Sequence, residues 1–137
     1  MDTRITYGGA YATFRRVGLV LLVTYAGLVT PATLTRARID ARQQAQTLRC
    51  RAVVIDARKA VIGVSREGLQ PAGDPPLATK PVALVVPEMA LEMFQQHAWD
   101  MARRGYLRAA FTDLGEALEW AQRKAPLGPL PFAIAGR

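Results

Sequence analysis

The stretch 80–122 constrains the fold most, because it reads as strand, helix, strand, helix with local chemistry marking each boundary. Val82 to Val86 is a continuous aliphatic run, which favours a buried strand. Pro87 suits the first turn of a helix, where its missing N–H costs nothing. Apolar residues then recur at helical spacing until Gly105, which supplies the left-handed residue that ends many helices.

The second half of this stretch repeats the same order of elements. Tyr106 to Phe111 predicts another strand. Asp113, with Glu116 three residues later, predicts the capping box of a last helix. Strands that alternate with helices in this way indicate a parallel sheet with crossover helices.

The N-terminal half predicts a hairpin followed by one more crossover. Ala10–Phe14 and Leu19–Tyr25 read as two strands joined by a tight turn, and hence as an antiparallel pair. Thr30 is expected to cap a helix whose first residue is Pro31. Ala52–Asp56 then predicts a strand parallel to 19–25, since a helix connects the two.

We therefore expect an α/β fold with a mixed, mostly parallel sheet of about five strands. It has an N-terminal antiparallel hairpin and three main helices largely on one face. Residues 1–9 are expected to be a flexible N-terminus, 10–124 a single domain, and 125–137 a proline-rich apolar arm. Several strands are apolar on successive residues, which implies cover on both faces. The second face is then covered by the first strand's side chains, the arm or a second copy.

The apolar run Val17–Val29 is the one candidate for a membrane segment. A spanning helix needs about 20 apolar residues, and this run is shorter and contains Gly18, Thr24 and Gly27. A signal peptide would carry its hydrophobic region nearer to the start. The run is better explained as a buried strand, so we expect a cytoplasmic protein without a membrane span.

The net charge of +7 is concentrated at the start, where residues 1–60 hold ten basic and three acidic residues. Arg38, Arg42 and Arg49 are expected to form a basic stripe beside the buried face of the first helix. Such a stripe can bind phosphates, although few aromatics accompany it for stacking on bases. The alternatives are weak nucleic-acid binding and a solvated basic flank.

The residues that usually carry chemistry are sparse. Cys50 is the single cysteine and His97 the single histidine, so a disulfide framework and a His/Cys metal site are excluded. The carboxylates show no paired spacing, and no phosphate-binding glycine loop occurs. His97 is interpreted as a half-solvated surface residue rather than a general base. We expect no enzyme activity, no metal and no cofactor.

Three polar residues follow the strand that ends at residue 56. Asp56, Arg58 and Lys59 come at its carboxyl end, where open α/β sheets tend to bind ligands. Asp56 can orient a partner's donor group, and Arg58 can meet a carboxylate or phosphate with two hydrogen bonds. The alternative is that Asp56 caps the following turn and Arg58 is solvated.

Several short segments of the chain match a known group. They are Tyr25-Ala26-Gly27-Leu28, Thr30-Pro31, Val53-Val54-Ile55-Asp56, Ala83-Leu84-Val85-Val86 and Phe111-Thr112-Asp113 with Glu116-Ala117-Leu118 and Trp120. In these and in its order of elements, the chain over about residues 10–122 resembles the SpoIIAA-like proteins of the STAS (sulfate transporter and anti-sigma factor antagonist) superfamily. The resemblance implies a mixed sheet flanked by helices and a role in regulation through protein contacts.

The resemblance also implies a candidate switch. In partner-switching members, a kinase phosphorylates a serine that follows the strand ending in aspartate, within an Asp-Ser-Ser-Gly-like element. Ser65 falls at that distance after Asp56, but Val64 and Arg66 replace the acidic residue and the second serine. A phosphorylated switch and an ordinary loop or cap serine therefore both remain open for Ser65.

Three functions follow from these observations. The first is a STAS-like regulatory domain that binds a protein or a second copy of itself through Asp56, Arg58, Lys59 and Ser65. The second is a binder of an anionic small molecule or lipid. The third is a weak nucleic-acid binder that uses the basic stripe.

Overall fold

The computed structural model describes residues 2–63 and 80–125. The described part contains six strands, three α-helices and a short 3-10 turn. The strands are β1 Thr3–Tyr7, β2 Ala10–Val17, β3 Val20–Val29, β4 Ala52–Ile62, β5 Val82–Val85 and β6 Arg108–Phe111. The helices are α1 Pro31–Thr47, α2 Leu91–Arg103 and α3 Leu114–Lys124, and the 3-10 turn Glu88–Ala90 precedes α2.

The strands lie in the sheet in the same order as in the chain, β1-β2-β3-β4-β5-β6. β1, β2 and β3 are antiparallel neighbours, whereas β3 to β6 are all parallel. The expected mixed, mostly parallel α/β sheet is confirmed. Most of the apolar run Val17–Val29 is a strand, β3, as predicted. Within the described ranges, the search for a helix with the length and hydrophobicity of a membrane span finds none.

One strand was not expected. Residues 1–9 were interpreted as a flexible N-terminus, which is wrong for Thr3–Tyr7, because this segment pairs with β2 along its whole length. The Tyr7 ring is buried on the α1 side, and its hydroxyl donates a 2.6 Å hydrogen bond to the Asp40 carboxylate. A buried aromatic ring and a charge-assisted hydrogen bond hold the strand in place.

The helix ends form as their sequences predict. The Thr30 hydroxyl accepts a hydrogen bond of 3.2 Å from the Thr33 N–H at the start of α1. The Asp113 carboxylate accepts one of 2.8 Å from the Glu116 N–H at the start of α3. Gly105 follows α2 with a φ of 92°, the left-handed conformation expected of it.

α1 covers the face of the sheet that we call the inner face. Its buried stripe consists of Leu34 and three alanines, Ala37, Ala41 and Ala45. These residues share a core with Phe14 of β2 and with the odd-numbered residues of β3. α2 belongs to the same side, because α1 and α2 connect parallel strands that step the same way across the sheet, and such crossovers are right-handed.

α3 packs on the opposite face, which we call the outer face. Its buried residues Ala117 and Ala121 lie against Val20, Val54 and Val85. Two of the three helices therefore share the inner face, in line with the expectation that they lie largely on one face, and α3 is the exception. The crossover rule fixes the side of a helix only when the helix joins two parallel strands, and α3 follows the last strand.

Candidate functional site

α3 covers only part of the outer face. It lies over the first halves of β3 and β4 and over β5, as its contacts with Val20, Leu22 and Val54 show. The second halves of β3 and β4 and the outer sides of β1 and β2 carry no helix within the described residues. We call this region the open surface. It is formed by Arg4, Tyr11, Thr24, Leu28, Lys59 and Val61.

Two aliphatic side chains lie at the end of the open surface where β3 and β4 finish. Leu28 of β3 and Val61 of β4 are paired in the parallel register, so they point to the same face. Leu28 is 49% exposed and Val61 is 66% exposed. Two neighbouring aliphatic residues at the carboxyl ends of parallel strands form the start of an apolar contact site.

A glycine fixes the position of Leu28. Gly27 has a φ of 87°, and a Cβ there would lie 2.3 Å from the Gly9 carbonyl oxygen. The close approach allows the Leu28 N–H to donate a 3.2 Å hydrogen bond to that same oxygen. Only glycine combines this conformation with this contact. The turn between β1 and β2 is therefore tied directly to the end of β3.

Cations border the aliphatic pair. The Arg4 guanidinium lies 3.7 Å from the centroid of the Tyr11 ring, and both residues are on the outer side of β1 and β2. Lys59 lies opposite Ala26 in the register and is exposed. A cation on an aromatic ring is a favourable arrangement that also orients the side chain. Tyr11 and Lys59 both lie in the row of Ala26, two residues before Leu28, so the positive charge lies to one side of the aliphatic pair along the strands.

Asp56 and Arg58 form the most specific polar contact near this surface. The register of β3 with β4 shifts between Thr24 and Ala26, which marks a bulge in β4. The Asp56 carboxylate accepts hydrogen bonds from the Arg58 backbone N–H at 3.1 Å and from two guanidinium nitrogens at 2.9 Å each. Asp56 thus accepts a hydrogen bond from the Arg58 backbone N–H, which lies at the bulge, where the regular strand pairing is interrupted.

The charge states of this pair follow from its geometry. Asp56 is only 6% exposed, and burial alone would raise its pKa. The hydrogen bonds and charge of Arg58 outweigh burial, so the pKa of Asp56 lies below its ordinary value. The hydrogen bond to Asp56 raises the pKa of Arg58, and Asp113 at the start of α3 adds to the effect. The ion pair therefore borders both the bulge and α3.

The structure places the predicted site residues in different regions. Asp56, Arg58 and Lys59 all lie within β4, which continues to Ile62, so the prediction that they come at the carboxyl end of this strand is wrong. Asp56 is paired with Arg58 and is not an open carboxylate, and it caps no following turn, as the alternative required. Ser65 lies outside the described residues, and so does the arm from residue 126.

The prediction of a basic stripe on the first helix is partly wrong. Arg38 and Arg42 lie on α1, and both are half-buried and interact with other groups of the chain. Arg49 is not on the helix, which ends at Thr47, and it adopts a left-handed φ of 55° in the following turn. α1 packs on the inner face, so the stripe and the Asp56 cluster lie on opposite sides of the sheet.

His97 is also placed differently from its interpretation. It is 6% exposed and lies on the buried side of α2, with its ring 6.4 Å from that of Phe94 in an edge-on arrangement. The signal was present in the sequence, because Phe94, His97 and Met101 follow the i, i+3, i+7 spacing of one helix face. Trp120 packs against Phe111 between α3 and the sheet.

Sequence reasoning missed the aliphatic pair of the site. Leu28 and Val61 were not recognised because each was placed beyond the end of a predicted strand, whereas β3 reaches Val29 and β4 reaches Ile62. The sequence does contain an indication that β4 is longer: the apolar segment Ala60-Val61-Ile62 follows two basic residues. The bulge near Asp56 keeps this segment in the same strand.

Comparisons with known proteins add no further assignment. Among the described residues, no three His, Cys, Asp or Glu side chains lie together as a metal site would require. No protein-family model matches the chain, and no curated protein is significantly similar to it in sequence.

Proposed function

We propose that this chain is a non-catalytic regulatory domain that acts through protein–protein contacts, and that the open surface is its contact site. The observation that carries the proposal is the exposed pair Leu28 and Val61, adjacent in the sheet at the carboxyl ends of β3 and β4 and beyond the area covered by α3. Exposed aliphatic residues surrounded by polar ones are the usual pattern of an interaction site.

The rigidity of the surrounding backbone supports this role. Leu28 is held by the contact between Gly27 and Gly9, and Val61 follows the bulge that Asp56 and Arg58 close. A preformed surface loses little conformational entropy when it binds. Bulges next to binding sites commonly serve to aim a strand in this way.

The resemblance to SpoIIAA-like STAS proteins supports the same class of function. It suggests a cytoplasmic domain whose partner is set by a regulatory pathway, and it makes Ser65 a candidate for phosphorylation. We extend the proposal to this superfamily on the order of the elements and on the segment Val53–Asp56. Phosphate at Ser65 would add about two negative charges close in sequence to Lys59.

The two other functions have weaker support. Arg38 and Arg42, the two members of the stripe on α1, already interact with other groups of the chain. Arg49 lies past the end of the helix, which breaks the line of charge that the stripe required. A binder of an anionic small molecule or lipid would use a cleft beneath the loop 69–80 and the C-terminal arm, and these segments lie almost wholly outside the described residues.

Site-specific photo-crosslinking in cells of the source organism tests the proposal. A benzophenone amino acid replaces Val61, and in a matched control it replaces Gln95, which is exposed on α2. We expect a discrete adduct with another protein at position 61 and none at position 95. Equal adducts at both positions, or none at either, would contradict the proposal. Turnover of ester, phosphate or nucleotide substrates by the purified protein would contradict its non-catalytic part.

A further inference from the structure

The part of the open surface that lies on β2 to β4 has about the width of one helix. Neighbouring strands are about 4.8 Å apart, so β2 to β4 span about 10 Å, close to the diameter of a helix with its side chains. α3 already occupies the adjoining part of the same face, where Ala117 and Ala121 pack on Val54 and Val85. A second helix beside α3 would complete the layer on the outer face.

The charges around the open surface indicate which side chains a helix bound there would carry. Asp56 is paired with Arg58, and Asp2 lies 3.9 Å from Arg15. Arg4 and Lys59 then leave an excess of positive charge beside the aliphatic pair. A helix with an apolar stripe and flanking carboxylates is complementary to this arrangement in both respects.

The same charges disfavour two other occupants. A second copy placed face to face would add its own Arg4 and Lys59 to the contact, so its open surface would bring further positive charge rather than the carboxylates that complement these cations. A nucleic acid offers phosphates to Arg4 and Lys59, but it offers no apolar stripe to cover Leu28 and Val61.

We infer that the open surface binds an amphipathic, acidic helix of a protein partner. The apolar stripe of that helix covers Leu28 and Val61, and its glutamate or aspartate side chains meet Arg4 and Lys59. The inference rests on the proposed function and specifies the partner's chemistry. The bound helix lies alongside α3, on the face opposite to α1.

The test uses the full-length chain and two labelled peptides of about 18 residues with leucines at helical spacing. One peptide carries glutamates beside the leucine stripe, and its matched control carries lysines there. Fluorescence anisotropy measures binding. We expect the acidic peptide to bind at least about tenfold more tightly than the lysine peptide, and its affinity to fall as salt is raised.

Variants of the chain locate the site. We expect Val61→Glu and Lys59→Glu each to weaken binding of the acidic peptide by at least about tenfold. Val61→Ala should weaken it by a few fold, which keeps the test valid if the glutamate variant unfolds. The controls Met93→Glu and Arg103→Glu, which make similar changes on α2, should bind as the original chain does.

Other results would overturn the inference. Equal binding of the two peptides, or binding unchanged by the variants at Val61 and Lys59, would exclude the acidic helix. Binding that appears only after Leu130→Asp and Phe132→Asp would make the C-terminal arm the occupant. Self-association that Val61→Glu abolishes would indicate a second copy, and co-sedimentation with phosphatidylglycerol vesicles that Val61→Glu abolishes would indicate a membrane surface.

The two proposals fail separately. A crosslink from position 61 to another protein, together with no preference for the acidic peptide, would leave the proposed function standing and remove the acidic helix. Absence of both the crosslink and the peptide binding would remove both proposals.

Discussion

The carboxylate of Asp56 accepts three hydrogen bonds from Arg58, two residues later in the same strand, and so closes the bulge in β4. The two residues are close in the sequence, but their contact stabilises the fold. Asp56 is buried, and its carboxylate binds a backbone N–H that the bulge leaves without a partner in the strand ladder. The chain beyond this bulge carries Lys59 and Val61 of the open surface.

Removing the carboxylate should destabilise the fold. We expect Asp56→Ala to lower the free energy of unfolding by about 1.5–3 kcal/mol, the range for hydrogen bonds that involve charged groups. Urea denaturation measures the change. The control is Glu119→Ala, which removes an exposed ion pair with Arg123 and should cost less than about 1 kcal/mol. Equal losses in the two variants would show that Asp56 does not hold the bulge.

The same pair makes stability depend on pH. Because the pKa of Asp56 is lower in the folded than in the unfolded chain, its contribution is fully present above the unfolded pKa of about 3.9. It is lost as the pH falls through the folded pKa. We expect the free energy of unfolding to fall more steeply between about pH 5 and pH 3 in the original chain than in Asp56→Asn. Parallel pH profiles for the two chains would contradict the assignment.

The N-terminal strand depends on one hydroxyl. Burial of Tyr7 and its hydrogen bond to Asp40 raise the pKa of its hydroxyl, which therefore stays protonated and donates at neutral pH. We expect Tyr7→Phe to lower the free energy of unfolding by about 1–2 kcal/mol. Tyr11→Phe, on the outer side of β2, should change it by less than half as much. A Tyr7→Phe variant as stable as the original would mean that β1 is held by other contacts.

Gly27 should be more sensitive to substitution than any simple turn glycine. A Cβ at position 27 meets backbone atoms of Gly9 and Ala10, whereas one at Gly8 meets nothing within 4 Å. Both glycines have positive φ, so Gly8→Ala should cost about 1 kcal/mol of strain, and Gly27→Ala at least about twice that. Thermal denaturation measures the difference. Similar melting temperatures for the two variants would contradict the close approach.

Cys50 should be inert in the folded chain. It is buried beside β3 and α1, and burial raises the pKa of its thiol despite the opposing charges of Arg16 and Lys80. Because the thiolate is the reactive form, we expect alkylation at about pH 8 to be at least tenfold slower in the folded than in the urea-unfolded chain. Comparable rates in the two states would show that the packing of α1 on the sheet is loose.

Local sequence chemistry determined much of the fold. Pro31 after Thr30, and Asp113 before Glu116, mark helix starts whose cause lies within four residues, so they could be predicted. β3, β4 and β5 were visible for the same reason, since each contains a continuous aliphatic run such as Val82–Val85.

The features that sequence reasoning missed depend on distant contacts. Thr3–Tyr7 is a strand because Tyr7 reaches Asp40, which is 33 residues away. The side on which α3 packs follows from the remaining uncovered face and has no local signal. Likewise, Val61 belongs to the candidate site only because β4 continues through its bulge to pair with Leu28.

The most direct test of the proposed contact site is to measure whether Val61, in the aliphatic pair of the open surface, is accessible in the free protein. The rate of maleimide labelling is measured for Val61→Cys and, as a control beneath α3, for Leu22→Cys, each in a chain carrying Cys50→Ala. We expect the thiol at position 61 to react within about tenfold of its rate in the unfolded chain, and the thiol at position 22 at least about tenfold more slowly than that at 61. If position 61 is as protected as position 22, the outer face is already covered, and it is not a docking site.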